Sequence, residues 1–177
     1  PADKLPRHFP RLQQTPVFVG EKLYIYKLDQ PAPRAYLATG VRPIDSEMAL
    51  EDKTLPDFDR AREALIEQTS IGDLSAEMQT QATSAVVANV SIIDYRNNSV
   101  TLDVVADKPG VLVLHDLFYP GWRVRVDGAE KPVLRANLLF RGVEVPAGRH
   151  RVEFAFEPLR LANLARAMSR LTHRDEE

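Results

Sequence analysis

Cysteine is absent from this chain of 177 residues. Disulfide bonds, thiolate metal sites and cysteine nucleophiles are therefore excluded. Histidine is scarce, with 4 residues scattered along the sequence in no zinc-binding pattern. No apolar run approaches the roughly 18 residues needed to span a bilayer, and no signal-peptide pattern opens the chain.

The chain also lacks a strong excess of positive or negative charge, since its formal net charge is only -2. The chain therefore has no basic footprint for nucleic acid, and we expect no nucleic-acid partner. No phosphate loop, dinucleotide fingerprint or nucleophile elbow occurs. We predict no cofactor, no metal and no catalytic residue. The composition that remains, 44% hydrophobic and 27% charged, suits a single globular domain over 1–177.

The clearest local pattern is a half-buried strand that follows the turn signal Pro120-Gly121. Its apolar residues alternate with charged ones, and Asp127-Gly128 then supplies a tight hairpin turn. The apolar face holds Trp122, Val124 and Val126, and the opposite face holds Arg123, Arg125 and Asp127. Because Trp122 is in phase with the valines, we expect it to be buried.

Short alternating strands separated by turn signals fill the range 85–158. Proline and glycine precede the last strand in Pro146-Ala147-Gly148, and His150 is in phase with core residues of that strand. This pattern predicts an all-β fold, an antiparallel β-sandwich of jelly-roll or immunoglobulin-like type with two sheets.

The flanking segments predict fewer regular elements. Residues 1–16 hold 4 prolines and read as an extended lead-in, and 17–67 predicts leading strands and a short helix near 46–53 capped by Asp45 or Ser46. Residues 68–84 predict a polar loop. The segment 159–177 predicts an amphipathic helix near 160–171 and a charged tail. The chain starts without methionine, which favours an excised fragment.

Catalytic chemistry receives little support from the spacing. His115 and Asp116 are neighbours in a strand, so their side chains point to opposite faces. Glycoside hydrolysis needs two facing carboxylates, and nothing selects a pair. The available carboxylates are Asp116, Asp127, Glu144 and Glu153.

Ligand binding has somewhat better candidates. Tyr119 is expected to be a surface aromatic that can stack on a sugar ring. The guanidinium groups of Arg123, Arg125 and Arg141 are expected to form an exposed row suited to phosphate or sugar-acid groups. A solvated sheet face explains the same arginines equally well.

The order of these segments resembles a known family. The residues that carry the resemblance are Leu112-Val113-Leu114, Phe118-Tyr119-Pro120-Gly121-Trp122, Val126-Asp127-Gly128, Arg135-Ala136-Asn137, Phe140-Arg141, Val143, Val145-Pro146-Ala147-Gly148-Arg149-His150, Phe154 and Glu157-Pro158. Over 84–158, and more loosely over 22–67, the chain resembles the C-terminal extracytoplasmic domain of YfhO-type bacterial membrane proteins. The residues that mark this fold are Pro120, Gly121, Trp122, Asp127, Gly128, Gly148 and His150.

The resemblance implies a β-sandwich on the extracytoplasmic, periplasmic face of a bacterial cytoplasmic membrane. It further implies a partner, the missing multi-span membrane portion of a glycosyltransferase-like parent protein, and places 63–67 in a sheet. A membrane span after the sandwich is expected in many relatives, whereas here an arginine-bearing helix and tail follow Pro158.

The expected function is that of a non-catalytic accessory or glycan-binding domain, with a glycan or a lipid-linked sugar as a further partner. The first alternative is a structural or protein-interaction sandwich that packs on its own membrane body or on another partner. The second and weaker alternative is a carbohydrate-active hydrolase.

Overall fold

The structure, a computed structural model, describes residues 16–20, 23–27, 31–53, 56–80 and 83–158. The chain divides into two compact units, Pro1–Pro33 and Arg34–Glu177. The smaller unit holds a β-hairpin in which β1 (Phe18–Val19) pairs with β2 (Tyr24–Ile25). The expected single domain over 1–177 stays a prediction, and the expected helix near 160–171 lies outside the described residues.

The larger unit is built mainly from strands, which confirms the all-β sandwich. Its strands are β3 (Ala35–Ala38), β4 (Gly40–Ile44), β5 (Glu63–Glu67), β6 (Ala88–Arg96), β7 (Ser99–Ala106), β8 (Gly110–Leu117), β9 (Trp122–Val126), β10 (Ala129–Lys131), β11 (Leu134–Ala136), β12 (Phe140–Val145) and β13 (Gly148–Phe156). Its helical elements are α1 (Ser46–Glu51), a 3-10 helix (Gln68–Asp73) and α2 (Ala76–Thr80).

The first sheet of the sandwich has five strands in the order β10-β9-β13-β7-β6, and each pair is antiparallel. The predicted hairpin at Asp127-Gly128 joins β9 to β10, with φ values of 50° and 80°. These positive angles are those of the turn that matches the twist of the flanking strands. A turn at 97–98 joins β6 to β7.

The second sheet has six strands in the order β3-β8-β12-β11-β5-β4. Its β4–β5 pair is parallel, so the expectation of purely antiparallel sheets is wrong for this pair. Strand β4 begins at Gly40 itself. Only Thr39 separates β3 from β4, although these strands stand at opposite ends of the order. Covalent geometry therefore brings the two edges together, and the sheet curls round on itself.

The second sheet is covered on both faces where its interior strand β8 is apolar on both sides. Leu112 and Leu114 of β8 belong to the core between the two sheets. Val111 and Val113 belong to a second core inside the curl. Strand β8 also pairs along both of its edges, with β3 and with β12, as expected for a strand that is apolar on both faces.

The short helices after β5 pack into the second core. Residues 68–80 hold the 3-10 helix and α2 where the sequence predicted an irregular polar loop. Leu74 and Met78 explain the difference, since both are buried against the curled sheet. The helix near 46–53 and its cap are confirmed, because the Asp45 carboxylate accepts a hydrogen bond from the Met48 amide at 3.0 Å.

The expected strand over 63–67 is also confirmed as β5. In the part of the chain that the structure describes, no helix combines the length and the apolar character that crossing a bilayer requires.

Candidate functional site

The charged side chains of greatest interest lie at one end of the sandwich, where β8 finishes. Asp116 is in phase with Leu112 and Leu114, so it points between the two sheets. Arg141 is in phase with Val143 and Val145 of β12 and points the same way. Strand periodicity therefore brings a carboxylate and a guanidinium together at the edge of the core.

Four side chains meet there, and we call them the Asp116 cluster: Arg34, Tyr95, Asp116 and Arg141. Arg141 Nη2 donates to Asp116 Oδ2 at 2.7 Å, and Arg34 Nη2 donates to Asp116 Oδ1 at 2.5 Å. The Tyr95 hydroxyl donates to the same carboxylate at 3.1 Å and accepts from Arg34 at 2.5 Å. One carboxylate thus holds two guanidinium groups and a phenol.

Arg141 is the buried member of the Asp116 cluster, with only 2% of the residue exposed. Its guanidinium carbon lies 3.6 Å from the centroid of the Trp122 ring and 5.5 Å from that of Phe154. Burial lowers the pKa of Arg141, and the charge of Asp116 opposes that shift. Arg141 Nε and Nη1 and Trp122 Nε1 are buried without a hydrogen-bond partner among the described residues.

The outer rim of the site is aromatic and exposed. The Arg34 side chain is 54% exposed, and its guanidinium carbon lies 5.1 Å from the Tyr95 ring centroid. Asp116 raises the pKa of Arg34 through its hydrogen bond, so the cation is favoured. Tyr119 is 43% exposed and stands edge-on to Trp122 at 6.0 Å and to Phe156 at 5.3 Å. Tyr119 is thus the predicted surface aromatic, and Trp122 lies buried as predicted.

The expected row of exposed arginines does not form. Arg123 and Arg125 do share the outer face of β9, but Arg141 lies on the other sheet and points into the core. Arg123 is also less open than expected, since Glu130 and Glu157 bind it and its side chain is 11% exposed. Arg125 lies between Glu130 and Glu153 across the strands. The prediction failed because it assigned Arg141 by its charge instead of by its phase with Val143.

His115 and Asp116 belong to different surroundings, as their adjacent positions predicted. The His115 ring lies 5.5 Å from Tyr36 and 4.7 Å from Phe140, between ring centroids. Burial raises the pKa of the Tyr36 phenol, whose oxygen also accepts from Asn137 Nδ2 at 2.8 Å. His115 therefore faces the curl of the second sheet, and Asp116 faces the other sheet.

The remaining carboxylates that were considered for hydrolysis have separate partners. Glu144 accepts from the Ser75 amide at 2.8 Å. Glu153 pairs with Arg151 on the outer face of the first sheet, and Asp127 binds His150 at the β9–β10 turn. Each of these three carboxylates is therefore held by its own group.

His150 and Asp127 form the best-defined exposed pair, with Nδ1 and Oδ2 at 2.6 Å. This hydrogen bond raises the pKa of His150, and it lowers the pKa of Asp127 together with the hydrogen bond from the Arg151 amide. His150 also lies against the Ala147 carbonyl oxygen at 3.1 Å. The pair ties the β9–β10 turn to the start of β13, so His150 supports the fold at this end of the first sheet.

The Pro120-Gly121 turn sets the position of the aromatic rim. Gly121 has a φ of 107°, and a Cβ at that position would stand 2.6 Å from a Phe156 ring carbon. Only glycine combines this angle with such a close approach. The turn thereby carries the chain from Asp116 on one sheet to Trp122 on the other.

Arg34 and Tyr95 were missed because they lie far from Asp116 in sequence. Arg34 directly precedes β3, which pairs with β8, and its carbonyl oxygen accepts from the His115 amide at 2.9 Å. Tyr95 comes from the edge strand β6 of the other sheet. Neither pairing could be deduced from local periodicity. Within the described ranges, no group of three His, Cys, Asp or Glu side chains could hold a metal ion.

Comparison with known proteins identifies a matching family. Residues 63–163 match the sequence model of the family described as "Bacterial membrane protein YfhO". The match covers β5 to β13 and so includes Tyr95, Asp116, Arg141 and Tyr119. No curated protein and no solved structure matches the chain.

Proposed function

Because the chain belongs to the YfhO family of bacterial membrane proteins, we propose that it is a non-catalytic accessory domain that binds a glycan on the extracytoplasmic, periplasmic side of the membrane. The observation that carries the proposal is the rim of the Asp116 cluster, where a fixed, exposed guanidinium lies beside one half-exposed phenol ring, and a second half-exposed phenol ring stands edge-on to Trp122, the ring that the Arg141 guanidinium covers. The exposed guanidinium and the two phenols belong to Arg34, Tyr95 and Tyr119.

The chemistry of the rim suits a sugar. Aromatic faces bind the apolar side of a pyranose ring, and a guanidinium fork binds its oxygens. Arg34 is pre-organised for this, because Asp116 and Tyr95 already hold its Nη2 atom. Less side-chain entropy is therefore lost when a ligand binds than with a free surface arginine.

The net charge of the site restricts the class of sugar that it can bind. Arg34 and Arg141 together carry two positive charges against the single negative charge of Asp116. The excess of one positive charge favours a sugar acid or a phosphorylated sugar, the head group of a lipid-linked sugar being one source. We propose that the missing multi-span membrane portion of the parent chain is the partner that presents such a ligand.

Titration of the chain with uronic acids, sugar phosphates and neutral sugars, followed by NMR, tests the proposal. We expect shifts at the rim at millimolar concentration, with acidic sugars bound more tightly than neutral ones. Tyr119→Ala should weaken binding by roughly 2- to 10-fold, the range for an aromatic contact of 0.5–1.5 kcal/mol. Arg125→Gln is the matched control, because Arg125 lies on the outer face of β9 away from the Asp116 cluster. A folded chain that binds none of these sugars would overturn the proposal.

A second candidate, a structural domain that packs on the membrane body, is favoured by β6. This edge strand is 9 residues long and largely exposed, with Ile93 at 55%. Long open edges invite pairing with another strand. Hydrogen exchange distinguishes the two functions: protection of β6 amides in the membrane-embedded parent, but not in the isolated chain, indicates packing. The predicted amphipathic helix near 160–171, a further candidate packing surface, lies outside the described residues.

A further inference from the structure

The hairpin of the smaller unit carries an unusual surface for an exposed element. Phe18 and Ile25 stand opposite each other across the two strands, as do Val19 and Tyr24. Directly opposed residues share one face of a hairpin, so these two pairs occupy opposite faces. Both faces are therefore apolar.

The side chains of both faces are exposed. Phe18 is 52% exposed and Ile25 46%, and on the other face Val19 is 60% and Tyr24 43%. Val17 at 62% extends the face of Val19, and Leu23 at 58% extends the face of Ile25. Isolated apolar residues on a protein surface are ordinary, but a contiguous patch of this kind marks an interaction site.

The arrangement indicates what covers the hairpin. A single flat protein surface, or a second copy packed face to face, buries only one face of a two-stranded hairpin, whereas lipid molecules can contact both faces. The chain belongs to a family of membrane proteins, so a bilayer is the apolar phase that its parent meets. From the double-faced apolar surface we infer that the hairpin docks shallowly into the lipid interface.

The backbone sets the depth of this docking. A hairpin leaves the outer N–H and C=O groups of both strands without partners, and these groups cannot enter dry hydrocarbon. The head-group region supplies partners for them and is where tyrosine side chains concentrate. The hairpin therefore lies in the interface, about 5–10 Å deep, and does not cross the membrane. Lys27, exposed at the end of the described hairpin, can bind anionic head groups there.

Flotation of the chain with phosphatidylcholine vesicles containing phosphatidylglycerol tests the inference. Two double variants each remove one face: Phe18→Ser with Ile25→Ser, and Val19→Ser with Tyr24→Ser. Each should lower the partition coefficient by about tenfold or more, since each removes two apolar groups from lipid. Val87→Ser is the matched control, because Val87 is 79% exposed in the larger unit and should leave partitioning unchanged.

A fluorescence measurement locates the contact. Trp122 is the single tryptophan and is 9% exposed, so brominated lipids should quench it little. Phe18→Trp should introduce strong quenching in vesicles, and Val87→Trp should not. The inference is overturned if the chain does not float, if quenching is equal at both positions, or if only one double variant matters. Concentration-dependent dimers that both double variants abolish without lipid would assign the surface to a second copy instead.

These outcomes are independent of the glycan site. The hairpin variants should leave sugar titration at Tyr119 unchanged, and Tyr119→Ala should leave flotation unchanged. Failure of one proposal can therefore be told from failure of the other.

Discussion

Asp116 and Asp127 flank the same strand, β9, and each binds a basic side chain, but their surroundings differ. The Asp116 side chain is 8% exposed and lies under two arginines and a tyrosine. The Asp127 side chain is 52% exposed and binds a histidine at a turn. Burial makes an ion pair costly to break, because a charge left without its partner cannot be solvated. Exposure makes it weak, because water and salt replace the lost partner.

The comparison shows where charge matters for this fold. Asp116 is the carboxylate that pairs with the buried Arg141, so removing Asp116 should destabilise the fold more than removing Arg141. Asp127 is needed for its backbone angle of 50° as much as for its charge. Four substitutions, given in order of decreasing expected effect, test this difference.

The largest effect is expected for Asp116→Ala. The change leaves the Arg141 cation buried against Trp122 without its carboxylate, and the free energy of unfolding should fall by about 3–5 kcal/mol. Urea denaturation at neutral pH measures the loss. Asp103→Ala is the control, since Asp103 pairs with the exposed Arg149 and should cost no more than about 1 kcal/mol. Equal losses for both variants would contradict the role given to burial.

Arg141→Met should lower the free energy of unfolding by less, about 1–3 kcal/mol. This is the range for a buried polar group that loses one partner. Asp116 keeps Arg34 and Tyr95 in this variant, and methionine fills much of the space over Trp122. Combining it with Asp116→Leu removes both charges, and the double variant should be more stable than Asp116→Ala alone. If the double variant is no more stable than Asp116→Ala, Asp116 and Arg141 are not energetically coupled.

Arg34→Gln should have a small effect, about 1 kcal/mol or less, because the Arg34 side chain is half exposed and Arg141 remains on the carboxylate. The loss should shrink further in high salt, which already screens an exposed charge. Denaturation at low and high ionic strength checks this. A loss as large as that of Asp116→Ala, unchanged by salt, would place Arg34 in the core of the cluster.

Asp127→Asn should show the smallest effect, and one that depends on pH. Asparagine tolerates the positive φ of the turn, so the change isolates the charge. The raised pKa of His150 contributes stability below about 6.5 that is lost as pH rises through the folded value. The lowered pKa of Asp127 contributes stability above about 3.9 that is lost as pH falls through its folded value.

The melting temperatures of wild type and Asp127→Asn should therefore differ most between about pH 4 and 6.5 and converge on either side. His150→Gln should reproduce this profile. A difference that persists unchanged at pH 9 would assign the effect of Asp127 to the turn and not to its pair with His150.

Local pattern predicted much of this fold, because strands and turns are local. Strict alternation at Trp122 and Val124 placed the core face, and Asp127-Gly128 placed the hairpin. Long-range strand pairing could not be predicted from local pattern, since nothing in the sequence indicates that Gly40 and Glu63 form a parallel pair. The short helices at 68–80 were not predicted, because Leu74 and Met78 lie in a segment that is otherwise polar. These two buried side chains are enough to dock the helices.

The candidate site was predicted less well than the fold. Tyr119 was found from its turn, whereas Arg141 was misplaced because an arginine was taken as a surface residue. Alternation alone would have put Arg141 with Val143 and Asp116 with Leu114, and so would have pointed to the buried pair. Arg34 and Tyr95 depend on strand order, which the single sequence does not contain.

The one-residue link at Thr39 bears on how the chain folds. Strand β3 is early in the chain but pairs with β8, and β4 pairs with β5, so both edges of the curled sheet wait for strands made later. Such distant partners slow folding, because chain entropy is lost before contacts compensate for it. Strand β3 therefore lacks its partner until β8 is present, whereas β4 can pair with β5 sooner. We expect β3 to be fixed in the sheet later than β4.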